Sequence, residues 1–297
     1  MKPLASLRQA SDRRRGYVFA SVSAMSFGLI PLFTIPVLSA GISIPSTLVY
    51  RFAFGSLFMI IFLFVRRVRL SLTLGEALQL SLLALLYSAS AVCLYAGYRY
   101  MPSGVATTLL FSYPIFTALI EVIFYHKRMT AFTIAALLLS VLGVFLLSGC
   151  GKGGIHGLVG LFLELGAGMA YAIYMAIFPH LRVHRMNPVK VNFFVFFISM
   201  LFLLLVSVSV NHRLDPVRTV DAIVCLMLLG LLPTMLSNVL LVKSLNLIDA
   251  TTVSVLGAFE PLTAMSVGIL VMGEPLTVTV VGGLAAVIAA VYILVTH

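Results

Sequence analysis

Residues 95–147 recur, without insertion or deletion, as residues 242–294, every position displaced by 147. The register is sharpest where Tyr113-Pro114 falls over Glu260-Pro261, Thr107 over Ser254, and Met129-Thr130 over Leu276-Thr277. A looser copy links residues 16–25 to 160–169 and Pro45 to Pro188, so nearly the whole 297-residue chain is built twice. Two copies that each carry a proline inside an apolar run predict helices interrupted at matching places, the pattern from which carriers build a site between related halves.

The medium of the fold follows from composition. With 61% hydrophobic and only 9% charged residues, the chain is too apolar for a soluble domain of this length. A membrane-crossing helix needs about 20 apolar residues at about 1.5 Å rise each. Polar breaks divide the sequence into ten such segments, at 16–38, 44–65, 74–98, 104–125, 130–149, 156–178, 189–210, 220–242, 250–272 and 276–296. Barrel strands would alternate over about ten residues, whereas runs such as 78–86 and 193–206 are continuously apolar. Arg13-Arg14-Arg15 ahead of the first run resembles the start of a secretory signal, but no small-residue cleavage pattern follows, and the run is read as a retained first span.

Charge sets the expected orientation. Fourteen lysines and arginines fall in the loops on the N-terminal side, four in the opposite loops, and Arg51 lies inside a span. The positive-inside rule then places both termini in the cytoplasm. The formal charge of +10 is thereby accounted for by topology, and a nucleic-acid partner is not expected. Five spans per half leave the second half inverted relative to the first, which predicts a pseudo-twofold axis in the membrane plane and alternating access. Residues 1–149 form the first repeat, 150–155 a linker, and 156–297 the second repeat. Cys93, Cys150 and Cys225 are scattered without CxxC spacing, so neither a disulfide framework nor a metal site is inferred.

The string from Ala250 to Leu256, followed by Glu260-Pro261-Leu262 and Gly273-Glu274-Pro275-Leu276-Thr277, together with its first-half counterparts from Ser103 to Leu110 and Tyr113 to Phe116, resembles the EamA-type branch of the drug/metabolite transporter superfamily. The resemblance covers essentially the whole chain. It implies an all-α membrane protein with ten transmembrane helices in two inverted five-helix repeats. Segments 1, 3, 4, 6, 8 and 9 would surround a cavity, with segments 5 and 10 at the periphery. It also implies transport of small metabolites and names no substrate. One departure stands out: the family's Gly-Glu pair before the last helix of a half is Gly273-Glu274 in the second copy but His126-Lys127 in the first.

Ionisable groups inside spans are costly and therefore informative. Glu260, just before Pro261, can bind a substrate ammonium or a proton, or can simply shape the helix and bond to a neighbour. Glu164 can line a vestibule or pair with Arg51 as a gate, since buried charges are usually paired. Glu121, about a turn from His126-Lys127-Arg128, is expected to reach towards those cations. Among uncharged groups, Tyr87, Tyr113, Tyr174 and Asn238 are candidate substrate contacts, because such groups at membrane depth need a polar partner. Pro114 and Pro261 mark the matched interruptions that point to the binding site.

The six histidines and four aspartates all fall at loops or span ends, and no HExxH or GxSxG motif is present. An intramembrane enzyme is accordingly disfavoured, and no cofactor is expected. The reading is a multi-pass inner-membrane secondary transporter for a small-molecule substrate, exporting or exchanging amino acids or related metabolites. A lipid or drug flippase of the same fold, or a channel, is the alternative. Proton coupling through Glu260 or Glu164 stands against facilitated diffusion, and monomer against homodimer.

Overall fold

A computed structural model describes residues 2–100, 103–147, 155–211, 214–272 and 278–296 of the chain. These residues are helical, with no strand among them. The helices are α1 (Lys2–Phe27), α2 (Ile30–Ser39), α3 (Ile44–Val65), α4 (Leu74–Gly97), α5 (Ser103–Leu110), α6 (Tyr113–Tyr125), α7 (Ala131–Leu147), α8 (Ile155–Ile177), α9 (Pro188–Asn211), α10 (Val220–Gly230), α11 (Ser237–Leu245), α12 (Ala250–Leu256), α13 (Phe259–Met272) and α14 (Val278–Thr296). A π-helical turn, Leu231–Leu236, joins α10 to α11. The linker expected at 150–155 lies, but for its last residue, outside the described residues, as do Gly273-Glu274 and Cys150.

Seven apolar stretches of 22 to 29 residues are long enough to cross a membrane, and three shorter ones accompany them at Tyr113–Tyr125, Ala131–Gly143 and Val281–Ala290. The ten expected spans therefore correspond to seven clear apolar helices and three short ones. Four rods differ from the continuous segments read in the sequence. The first begins well before residue 16 and breaks at Gly28-Leu29, between α1 and α2. The fourth breaks at Phe111-Ser112 and the ninth at Gly257-Ala258, while the eighth carries the π-turn. In the fourth and ninth the break precedes the proline. Pro114 and Pro261 sit in the first turns of α6 and α13, where a missing N–H costs nothing, and the chain reorganises in the turn before.

Helix pairing crosses between the halves. α3 packs on α9, α7 on α14, α4 on α8, α1 on α11, and the broken pair α5/α6 on α12/α13. This pattern is unchanged when each first-half helix is exchanged with its second-half counterpart. α7 and α14 lie together at the edge, as the peripheral assignment of segments 5 and 10 expects. Close crossings use small residues, as in other lipid-embedded helix pairs. A methyl at Gly55 would overlap Thr234, and one at Gly230 would overlap Phe54. Large apolar side chains remain exposed on the outside, among them Phe64, Phe124, Phe162 and Leu270, as a lipid-facing surface requires.

Candidate functional site

The two helix breaks meet at the centre of the bundle. A Cβ on Gly257, in the α12–α13 break, would overlap the Tyr113 hydroxyl from the start of α6. Two flanking glycines, not counterparts in the repeat register, play the same part on the two sides. A Cβ on Gly28 of the first rod would overlap Glu260 O and Thr263 in the ninth, and one on Gly168 of α8 would overlap Leu110 O and Ser112 Oγ in the fourth. Only glycine permits these approaches, so the backbone of both breaks is clamped by a glycine from the opposite half.

Beside the breaks lies a cavity of about 40 Å³, whose wall includes Phe27, Arg51, Tyr87, Ser90, Tyr171 and Glu260. That volume holds a few waters and no larger guest. Arg51 is 2% exposed and Glu260 4% exposed. They face one space without an ion pair between them, the ion pairs among the described residues being Asp12–Arg15, Glu121–Lys127 and Lys127–Asp249.

Arg51 is aimed by the π-turn. Pro233 has no N–H to offer the helix, and Thr234 Oγ1 donates instead to the Leu229 carbonyl at 2.7 Å. The same hydroxyl accepts from Arg51 Nε at 2.8 Å, and Arg51 Nη1 donates to Tyr95 Oη at 3.2 Å. Tyr95 is in turn held by Thr34, oxygen to oxygen at 2.9 Å. Three elements thus hold one guanidinium, which costs less to bury when its donors are matched.

The structure sorts the sequence candidates into layers. Arg51, Tyr87 and Glu260 line the cavity. Asn238 stands one layer back, where Nδ2 donates to Tyr87 Oη at 3.1 Å and to Thr234 O at 2.9 Å. Tyr113 packs edge-on against Tyr171 at 5.0 Å, and Tyr174 stacks on Tyr171 at 6.1 Å with its hydroxyl unbonded. Pro114 and Pro261 shape the breaks and do not line the cavity. Glu164 is apart from them all: fully buried, both carboxyl oxygens without a hydrogen-bond partner among the described residues, wedged against Gly97 of α4. The Arg51–Glu164 pair offered by the sequence does not form, because the guanidinium is committed to Thr234 and Tyr95. Thr34, Tyr95 and Thr234 were not singled out in the sequence. The signal that leads to Thr234 is Pro233, a proline in the middle of an apolar segment.

A second polar cluster joins the halves at the end of the bundle that carries Arg13, Lys127 and Arg128, here called the basic end. α6 stops where His126 takes a left-handed conformation, φ 51°, and the reversed chain returns Lys127 N–H to the Glu121 carbonyl at 3.1 Å. The turn also brings Lys127 Nζ to Glu121 Oε2 at 2.8 Å, as the sequence expects. Two contacts then cross to the second half: Lys127 Nζ to Asp249 Oδ2 at 2.9 Å, and Thr251 Oγ1 to Glu121 Oε2. Burial would raise the Asp249 carboxyl, but the Lys127 ammonium and the Thr252 N–H outweigh it and hold the group below its ordinary range. Burial would likewise lower Lys127, but bonding to Glu121 and Asp249 raises it. In the repeat register Lys127 corresponds to Glu274, Glu121 to Gly268 and Asp249 to Pro102, so the second copy lacks the residues for the same ion cluster.

A bundle of apolar helices in two matched halves, broken at the centre beside a small cavity that carries two buried charged groups, is the build of a multi-pass membrane transporter. The EamA-like transporter family model matches residues 14–149 and again residues 158–296, and the chain belongs to that family. The "Uncharacterized transporter sll1319" of Synechocystis sp. is 28% identical over 188 residues, 63% of this chain and 56% of that protein, so the chain spans a little over half the length of this curated relative. A protein of known crystal structure superposes with a TM-score of 0.78 over 94% of this chain and 95% of its own, at 14% identity, a likeness of fold alone. The family is one of transporters.

Proposed function

We propose that this protein is a ten-span, inverted-repeat secondary transporter of the inner membrane, with both termini cytoplasmic, and that it exports or exchanges amino acids or related small metabolites by alternating access. The observation that carries the substrate class is the pair of opposite charges, Arg51 and Glu260, on the wall of one otherwise mostly apolar cavity. A zwitterion satisfies both, its carboxylate on the guanidinium and its ammonium on Glu260, while Phe27, Ile30, Leu94 and Tyr171 receive an apolar body. The cavity is smaller than such a guest, so loading requires the halves to part.

Exchange-invariant pairing of the helices supports the twofold axis, and the Lys127 cluster supports closure at the cytoplasmic side in this conformation. Glu164 supports proton coupling. A lone charge buried there has no partner to offset its desolvation, and a bound proton removes that cost. Glu260 carries the proton in the competing version, and the two separate on neutralisation: only the carrier's Gln variant loses dependence on a pH gradient.

The experiment is efflux from liposomes preloaded with a mixed pool of amino acids and their decarboxylated amines, read by mass spectrometry. Saturable loss of zwitterions over amines, reversed in ranking by Arg51→Gln, is the expected result. Equal loss of both classes, or none beyond protein-free liposomes, overturns the assignment. A lipid or drug substrate is favoured by one feature, a lateral apolar groove of about 690 Å³ between α6 and α8 that includes Phe116, Ile123, Phe124 and Met169. Its lining shares no residue with the central cavity.

A further inference from the structure

The basic end holds a pocket that shares no lining residue with the central cavity. It is about 200 Å³ and lies where α1, the start of α7, the start of α12 and the end of α14 converge, with Arg13, Lys127, Arg128, Asp249, Phe132 and Ile293 in its wall. Three cations and one carboxylate face it. Lys127 is shared between Glu121 at 2.8 Å and Asp249 at 2.9 Å, and Asp249 Oδ2 also accepts the Thr252 N–H at 2.8 Å, so these three groups leave no positive charge over. The two arginines are left over. Arg13 Nε donates to Tyr17 Oη at 2.7 Å, which fixes the stem, and neither Arg13 nor Arg128 joins an ion pair among the described residues. The excess charge therefore suits an anion with several acceptor oxygens, and arginine forks match phosphate.

The pocket's rim distinguishes a lipid from a free anion. Phe132 at the mouth is 51% exposed, and α7 and α14 continue away from it with Leu138 63%, Ile288 53% and Tyr292 69% exposed. Charge in the pocket and an apolar, outward-facing wall leading from it fit one ligand with an anionic head and hydrocarbon tails. We propose that this pocket binds the phosphate headgroup of an anionic phospholipid. The inference rests on the chain's being a multi-pass membrane protein and on no assignment of substrate.

The test is native mass spectrometry of the full-length protein, delipidated and re-exposed to phosphatidylglycerol or phosphatidylcholine, with thermal unfolding as a parallel readout. Preferential retention of phosphatidylglycerol is expected, falling by about fivefold for each arginine removed in Arg13→Gln/Arg128→Gln. Arg66→Gln/Arg69→Gln, which removes the same charge from another basic loop, should retain the lipid, and Arg13→Lys/Arg128→Lys should retain part of it. Equal loss in the two glutamine pairs would mean attraction to surface charge in general and would overturn the site. No loss in either pair would overturn it too. Protection by inorganic phosphate equal to that by phosphatidylglycerol would assign the pocket to a free anion and overturn the lipid.

Discussion

Lys127→Met tests whether the basic-end cluster holds the two halves closed. Lys127 is 34% exposed at its side chain, Asp249 45% and Glu121 8%. Its half-exposed bridge to Asp249 contributes about 0.2–1 kcal/mol to the closed state. The rest of the effect comes from Glu121, which keeps only Thr251 as a partner when the ammonium is gone. Its nearly buried carboxylate then gains more from water on opening, and a hydrogen bond to a charged group is worth about 1.5–3 kcal/mol. Because Thr251 still crosses between the halves, a net shift of about 1–2 kcal/mol is expected, about five- to thirtyfold in the open-to-closed ratio. The readout is a cysteine at Ser90, on the cavity wall, in a background where Cys93, Cys150 and Cys225 are serine. A membrane-impermeant maleimide applied from the cytoplasmic face should label it faster by that factor in Lys127→Met, and near the parental rate in Lys127→Arg. An unchanged rate, or acceleration from the opposite face, would refute the closure argument.

Glu260→Gln removes the anchor for an ammonium and should lower zwitterion efflux by about 10–100-fold with little change in melting temperature, since the group shares its cavity with no ion-pair partner. Gly257→Ala places a methyl on the Tyr113 hydroxyl; it should destabilise by about 1–3 kcal/mol in thermal unfolding, and adding Tyr113→Phe should restore part of the loss. The closure should be indifferent to pH from about 5 to 9. Asp249, lowered, keeps its contribution until pH falls through its depressed value, and Lys127, raised, keeps its own until pH rises through its elevated one. Ser90→Cys labelling, normalised to an exposed reference cysteine, should therefore be flat over that window. A step near neutrality that vanishes in Lys127→Met would contradict the two shifts.

What could be read from the chain depends on the range of the interaction involved. Apolar runs, the 147-residue register and the paired prolines are patterns of the sequence itself, and they led to the helices, the two halves and the broken rods around Glu260. Arg51 was legible because a cation in a span is costly wherever its partners lie. Its partners were not, since Thr234 is 183 positions away and Tyr95 is 44. Charge pairing of Arg51 with Glu164 was a reasonable expectation from depth alone. It fails because the Thr234 hydroxyl, fixed by the Leu229 carbonyl that Pro233 leaves without its helix donor, takes the guanidinium instead, and no one-dimensional pattern carries that. The Lys127 cluster was half visible: its contact with Glu121 is a turn's length away, while Asp249 comes from the other half. Gly28, though followed closely by Pro31, was read as part of a continuous span, and its role emerges only from what it touches.

The π-turn in the eighth rod also sets a phase. One extra residue per turn rotates everything after it by about 100° relative to a regular helix. Asn238 meets Tyr87, and Ser237 O accepts from Ser23 at 2.7 Å, only in that rotated frame. The proline defect that aims Arg51 therefore also dials the whole of α11 into place against the first half. The guanidinium at the cavity and the seam between the repeats share a single mechanical setting, so a sequence change that regularised this turn would detune both together.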